Sequence, residues 1–185
     1  MVHAEPEEAY GLLRSGEIDL ALVYDHDSVP APIQPEVELT PLVEDSYDVI
    51  LPAAHPLAKR SKLSLSDLAD EPWIASTLAN GCRRITEEVC RQAGFEPRVA
   101  FEADDTMASQ ALVASGVGVT LMPRLALTSI HPGVAARELT DRPRRKVWAA
   151  RLETAYRSPA SEAMLQILGD VAEEFTETRL ELAAS

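Results

Sequence analysis

Apolar residues fall along this chain in two alternating rhythms, short unbroken runs and stripes at helical spacing. Glu5-Pro6-Glu7-Glu8 leads into Ala9, Leu12 and Leu13, with Ser15-Gly16 behind them. Proline in a first turn, acids against the positive helix end and glycine just past the last turn predict a short helix. Ile18-Asp19-Leu20-Ala21-Leu22-Val23 follows, bounded by turn residues. A run without clean alternation predicts a strand buried on both faces, as in a parallel sheet. Asp25–Glu36 carries Pro30, Pro32 and Pro35 and reads as an irregular surface loop. Val37–Leu42 and Tyr47–Leu51 read as two strands. Ser64-Leu65-Ser66-Asp67 has the form of a capping box opening a single-turn helix before Pro72, and Trp73-Ile74-Ala75 is a short strand.

The second half continues the alternation. Ile85, Val89, Cys90 and Ala93 form a helical stripe stopped by Gly94. Val99, Phe101 and Ala103 alternate with polar or small neighbours, as a strand does. Asp105 is placed to cap a helix over Thr106–Ser115 that Gly116 ends. Val117–Met122 reads as another buried strand, and Pro123 opens a short helix. Val134–Leu139 and Lys146–Leu152 read as strands. Ser158-Pro159 starts the clearest helix, with Met164, Ile167, Leu168, Val171, Ala172 and Phe175 on one stripe. Strands and helices alternating from end to end predict an α/β class with mostly parallel sheets. Ligands of such sheets bind beyond the carboxyl ends of the strands.

Composition narrows the function. At 185 residues, 46% hydrophobic and 25% charged, with 8 Gly and 13 Pro, the chain is an ordinary globular one and neither fibrous nor low-complexity. Lys and Arg number 17 against 30 Asp and Glu, a net charge of −13. An acidic surface repels phosphate backbones, so the chain is not expected to grip nucleic acid by itself. No apolar run reaches the roughly 18–20 residues of a membrane-spanning helix. Met1–Tyr10 is acidic and lacks the pattern of a signal peptide, which makes the cytoplasm the expected compartment. Cys82 and Cys90 lie eight apart on a predicted helix, roughly 12 Å at about 1.5 Å per residue. That is too far for a disulfide, so they are expected to be buried free thiols.

Reactive chemistry is not signalled. His3, His26, His55 and His131 are scattered without a second ligand at metal-binding spacing, so no metal is expected. No nucleophile elbow or phosphate-binding P-loop is present. Gly116-Val117-Gly118 begins like a dinucleotide fingerprint, but Leu121 stands where the third glycine belongs and the segment enters a strand, so no cofactor is expected. Small polar residues at strand ends remain: Tyr24-Asp25, Ser76-Thr77, Asn80-Gly81 before a helix, Asp104-Asp105-Thr106, and Thr120 within its strand. Free N–H groups at the start of the helix after Gly81 could seat a carboxylate or phosphate. Singly these residues read as caps; together they fit a cleft that binds a small molecule without transforming it.

Four segments carry a family resemblance. Leu12-Leu13-Arg14-Ser15-Gly16-Glu17-Ile18-Asp19-Leu20-Ala21-Leu22-Val23 resembles the signature segment of the effector-binding domain of LysR-type transcriptional regulators. Asp48–Ala58, Leu65–Ile74 and Ala114–Pro123 resemble three more segments of that domain in the same order, so the likeness runs over about residues 2 to 178. It implies a fold similar to type 2 periplasmic binding proteins, two α/β lobes joined by two crossing strands with a small-molecule effector between them. Lobe I would be roughly 1–40 and 149–185, and lobe II roughly 41–148. The family's effector contacts map onto Tyr24, Asp25, Ser76, Thr77, Asn80 and Gly81, and more loosely onto Asp104, Thr106 and Thr120. His55-Pro56 is a family marker read here as a turn.

The same resemblance implies a homo-oligomer, a dimer or tetramer in the full-length regulator, with DNA bound only through an N-terminal winged helix-turn-helix. That module, and the first strand and helix of lobe I, have no counterpart among these residues, so the chain reads as an N-terminally truncated domain. Three expectations follow. Tyr24 and Thr120 should line the cleft floor, with a ligand carboxylate near Ser76, Thr77 and the amides around Gly81. The Met164/Ile167/Leu168/Val171/Phe175 stripe should pack onto lobe I. The open sheet edge should drive self-association or an unusual strand pairing. A stand-alone solute-binding protein, or an enzyme on a similar two-lobed fold, are the other readings, and an acid/base pair in the cleft would mark the enzyme.

Overall fold

The computed structural model describes residues 1–27, 34–78, 80–154 and 156–184, with side chains described as far as Thr176. Its elements are α1 (Pro6–Ser15), β1 (Ala21–His26), β2 (Val37–Pro52), β3 (Lys62–Leu63), β4 (Pro72–Ala75), α2 (Gly81–Gln92), β5 (Arg98–Glu102), α3 (Thr106–Ala114), β6 (Thr120–Pro123), β7 (Val134–Leu139), β8 (Arg144–Leu152) and α4 (Pro159–Ala184). Single 3₁₀ turns lie at Pro56–Lys59, Leu65–Leu68 and Arg124–Leu127. The chain forms two compact units. Unit 1 comprises Met1–His26, Pro30–Glu44 and Arg145–Ser185; unit 2 comprises Asp27–Val29 and Asp45–Arg144. Of the loop expected over Asp25–Glu36, Asp25 and His26 are instead the end of β1, and residues 28–33 lie outside the described residues.

In unit 1, β1 pairs antiparallel with β8, from Ala21 opposite Ala150 to His26 opposite Arg145. β8 is hydrogen-bonded to β2 on its other side. α1 covers one face of this sheet, where Ala9, Tyr10 and Leu13 pack with Ala21, Val23 and Ala150. The helix begins at Pro6 and stops at Gly16, which takes φ 72° and donates its N–H to the Leu12 and Leu13 carbonyls. Leu13 is buried, a contribution of roughly 1.5–3 kcal/mol.

In unit 2, the end of β2 pairs antiparallel with both β6 and β7, and β3 runs parallel to β7. β4 and β5 form a parallel pair, and Val119 makes a parallel bridge to Trp73. Ile50, Ile74, Val113, Met122 and Val134 form one core cluster. Gly118 explains why the Gly116-Val117-Gly118 run exists. A Cβ there would stand 2.6 Å from the Pro72 carbonyl oxygen, so glycine is what lets the chain come close enough for Val119 N–H to reach that oxygen.

Several expectations are corrected. The sheets are not mostly parallel: the pairings β1–β8, β2–β6 and β2–β7 are antiparallel, and the parallel ones involve only short strands. An unbroken apolar run reports that both faces are covered, as they are for Val49, Ile50 and Leu51, which are fully buried. It carries no information on which way the neighbouring strand runs. The strand expected at Ile18–Val23 is instead Ala21–His26, and its Leu22 is 53% exposed, so it is not buried on both faces. The two strands expected at Val37–Leu42 and Tyr47–Leu51 are one continuous β2. In β5, Phe101 is 43% exposed despite the alternation.

The largest correction concerns α4. Met164, Ile167 and Val171 are exposed, whereas Ser161, Leu165, Leu168 and Phe175 are half-buried and Ala172 is buried. The face Ser161–Leu165–Leu168–Ala172–Phe175 therefore lies inward, so Leu168, Ala172 and Phe175 of the expected stripe are on it and Met164, Ile167 and Val171 are not. Its start is held by a polar tie, Arg151 Nη1 to Glu162 Oε1 at 2.5 Å, and Arg151 is also bound to Glu38 at 2.9 Å. Arg151 is thus a guanidinium seated between two carboxylates, one on β2 and one in the first turn of α4.

Candidate functional site

The polar positions singled out from the sequence fall into two groups, one in each unit. In unit 1, Tyr24 and Asp25 lie within β1 rather than beyond it, opposite Val147 and Lys146. Alternation points them to opposite faces. Tyr24 donates its hydroxyl to Glu5 Oε2 at 2.9 Å. Its ring meets His26 edge-on at 6.0 Å between centroids, and the Arg145 guanidinium lies 5.4 Å from its ring centre. Asp25 turns toward α1 and accepts from the Trp148 indole at 3.4 Å. Tyr10 lies in the same environment, where burial first and the Asp25 charge second push its phenol above the ordinary value.

In unit 2 the chain leaves β4 at Ala75 and forms a polar turn before α2. Asn80 caps that helix, its Oδ1 accepting from Cys82 N at 2.9 Å, and its own N–H donates to the Thr77 carbonyl at 3.0 Å. Gly81 is the first residue of the helix. The link from β5 to α3 lies alongside, because Ala103 N donates to the Ala75 carbonyl at 3.0 Å. That contact brings Asp104 to Thr77. Thr77 N donates to Asp104 Oδ1 and Thr77 Oγ1 to Asp104 Oδ2, each at 2.9 Å. The seat expected for a ligand carboxylate is thus held by a carboxylate of the protein itself.

Sequence reasoning missed Arg83. Its guanidinium is 11% exposed, donates to the Ser76 carbonyl at 3.1 Å, and pairs with Glu87 at 2.6 Å and Glu102 at 2.9 Å. Burial works to lower its pKa, but the hydrogen bonds it donates to Glu87 and Glu102 outweigh it and the net shift is upward. The Arg83/Glu87 spacing of four was a visible helical pair; the reach to Ser76 and Glu102 was not. Of the remaining candidates, Thr106 opens α3, and Asp105 caps it through Ala108 N at 2.7 Å. Thr120 is buried in β6 opposite Ile50, and its hydroxyl reaches the Leu121 carbonyl at 3.4 Å. Ser76, Thr77, Asn80, Gly81 and Asp104 are therefore drawn into one neighbourhood.

Among the described residues no group of three or more His, Cys, Asp or Glu could hold a metal ion, and no helix is long and apolar enough to cross a membrane. His55 acts as a turn residue, its Nδ1 accepting from Leu57 N at 3.2 Å. Neither Cys82 nor Cys90 is disulfide-bonded. Cys90 is buried, and burial pushes its thiol up to about 12; Cys82 is only half-buried, which corrects the expectation for that residue.

Two strand-built α/β units, with small polar groups gathered where β4 ends, define the class of a ligand-binding domain. The chain belongs to the LysR substrate binding domain family, which matches residues 1–173. It is 30% identical over 179 residues to the probable HTH-type transcriptional regulator LrrA of Synechococcus elongatus, covering 96% of this chain and 58% of that protein. Among solved structures, it is similar to the C-terminal domain of a probable LysR family transcriptional regulator from Rhodococcus sp. RHA1, with TM-score 0.75, 28% identity, and coverage of 90% of this chain and 81% of that one. It also shares the fold of the Synechocystis PCC6803 CcmR regulatory domain in complex with 2-PG, with TM-score 0.77, 21% identity, and coverage of 91% and 80%. The chain spans a little under three-fifths of LrrA and aligns with the C-terminal part of such regulators. The family is one of transcriptional regulators rather than enzymes.

Proposed function

We propose that this chain is the effector-sensing part of a cytoplasmic LysR-type transcriptional regulator, and that the polar turn after β4 is where its unit 2 grips a small molecule. The observation that carries the reading is the coincidence of the family match with a polar turn at a strand end, built from Ser76, Thr77, Asn80, Gly81 and Asp104. Tyr24, Asp25, Thr106 and Thr120 are further effector-binding positions in this reading. The complex of the CcmR regulatory domain with 2-PG supports small-molecule sensing by a domain of this fold.

DNA contact belongs, in this reading, to an N-terminal module of the longer regulator. A net charge of −13 suits a sensing part that does not touch phosphates. The working regulator is a dimer or tetramer, in which effector occupancy alters DNA binding. The test is a thermal-shift screen of small organic acids, polyols and amines on the chain. A ligand held only by the folded state at about 100 times its Kd adds about 2.7 kcal/mol. A hit whose shift survives the double substitution S76A/T77A would remove this turn from the site.

A further inference from the structure

Thr77 and Asp104 lie 27 residues apart, yet both donors of Thr77 are spent on the two oxygens of that carboxylate. A free carboxylate arriving here must displace one that the fold already holds beside the seat, through the Ala103 N–H to Ala75 carbonyl bond. It would also enter a negative field. Glu102 and Asp105 flank Asp104, and the nearby cation, Arg83, is already committed to Glu87, Glu102 and the Ser76 carbonyl. Asp104 itself is exposed, and an ionised carboxylate has about four lone-pair sites, of which Thr77 takes two.

Resting on the functional reading above, we infer that Asp104 sets the specificity of this seat: the end of the effector that binds here carries a hydrogen-bond donor, a hydroxyl or an ammonium group, and not a carboxylate. Asp104 holds Thr77 in place with one lone pair on each oxygen and offers the remaining ones to the ligand. The sequence-based expectation of an acid at Thr77 is thereby reversed, since the acid is supplied by the protein.

The experiment is a titration of the chain followed through the Thr77 amide signal by NMR. The probes are erythritol, sorbitol, ethanolamine and glucosamine against glycerate and gluconate. Saturable shifts of the Thr77 amide are expected with a polyol or amino alcohol, and none with the sugar acids below about 10 mM. D104N, which keeps the size of the side chain and an acceptor for Thr77 N–H, should weaken amino-alcohol binding about tenfold, the scale of a hydrogen bond to a charged group. D104A, checked for folding by circular dichroism, should let gluconate or glycerate reach Thr77 about tenfold more tightly. Sugar-acid binding at Thr77 that is the same in wild type and D104A overturns the specificity inference and leaves effector sensing intact. If no probe shifts either the Thr77 amide or the melting temperature, in wild type or D104A, the functional reading fails and the inference fails with it.

Discussion

At Gly118 one missing Cβ decides how two segments meet. Val119 N–H reaches the Pro72 carbonyl at 2.9 Å and Ile74 N–H reaches the Val119 carbonyl at 2.8 Å, a bridge that leaves no room for a side chain. Gly118→Ala forces the backbones apart and is expected to cost about 1–3 kcal/mol, the range of overpacking a filled core. Urea unfolding followed by circular dichroism measures it, and a variant with unchanged midpoint would refute the close-approach argument. In the sequence this glycine belongs to a run that begins like a dinucleotide fingerprint and departs from it at Leu121, and nothing in the spacing says which strand the glycine approaches. Caps were more legible. Asn80 and Asp105 precede helices in sequence and do cap them, since a cap is a bond to an N–H only two or three residues away.

The two clearest sequence helices, α1 and α4, have opposite fates. α1 buries Ala9 and Leu13 as its pattern predicts, and Tyr10 besides, while Leu12 is half-buried. α4 shows Met164, Ile167 and Val171 at 50%, 54% and 57% exposure. Leu13→Ala should therefore cost about 2–5 kcal/mol. Ile167→Gln should stay within about 0.5 kcal/mol, as surface substitutions do. Thermal melts of both variants make the comparison, and equal losses would mean that the α4 stripe is packed after all. Helical periodicity is an internal property of the segment and survives in both cases. Which side of the stripe turns inward is set by what the helix meets, and the spacing within the segment does not encode that.

For the whole molecule, charge and exposed apolar surface act together. Glu38 binds Arg151 at 2.9 Å and Arg157 at 3.1 Å. Chiefly through the Arg151 hydrogen bond, its carboxyl titrates below the ordinary 4.5. A carboxyl lowered in the folded state stabilises above its unfolded pKa, and that contribution disappears as pH falls through the folded value. Stability should thus decline from about pH 5 downward, and E38Q should flatten that decline in urea unfolding at a series of pH values. An identical pH profile in E38Q would discount the network. Separately, exposed Leu22, Met164, Ile167 and Val171 favour association of the chain with itself, while a net charge of −13 opposes it. Added salt screens that repulsion, so light scattering should show mass above 20.1 kDa rising with ionic strength and falling in an I167Q/V171Q variant. A strictly monomeric chain at every salt concentration would contradict it.

The amino-acid order alone determined where most helices begin and end, and that the polar turn Ser76, Thr77, Asn80 and Gly81 stands between a strand and a helix. These rest on caps, glycines with positive φ and periodicity, all acting within a few residues. It was also enough to show the family, because four segments stand in register along one chain. Tertiary structure decided the rest: the antiparallel pairing of β1 with β8 and of β2 with β6 and β7, the rotation of α4, and the meeting of Thr77 with Asp104 and of Arg83 with Glu102. Each of these depends on groups distant in sequence, whose encounter is set by how strands and helices pack and not by the order of residues within any one of them.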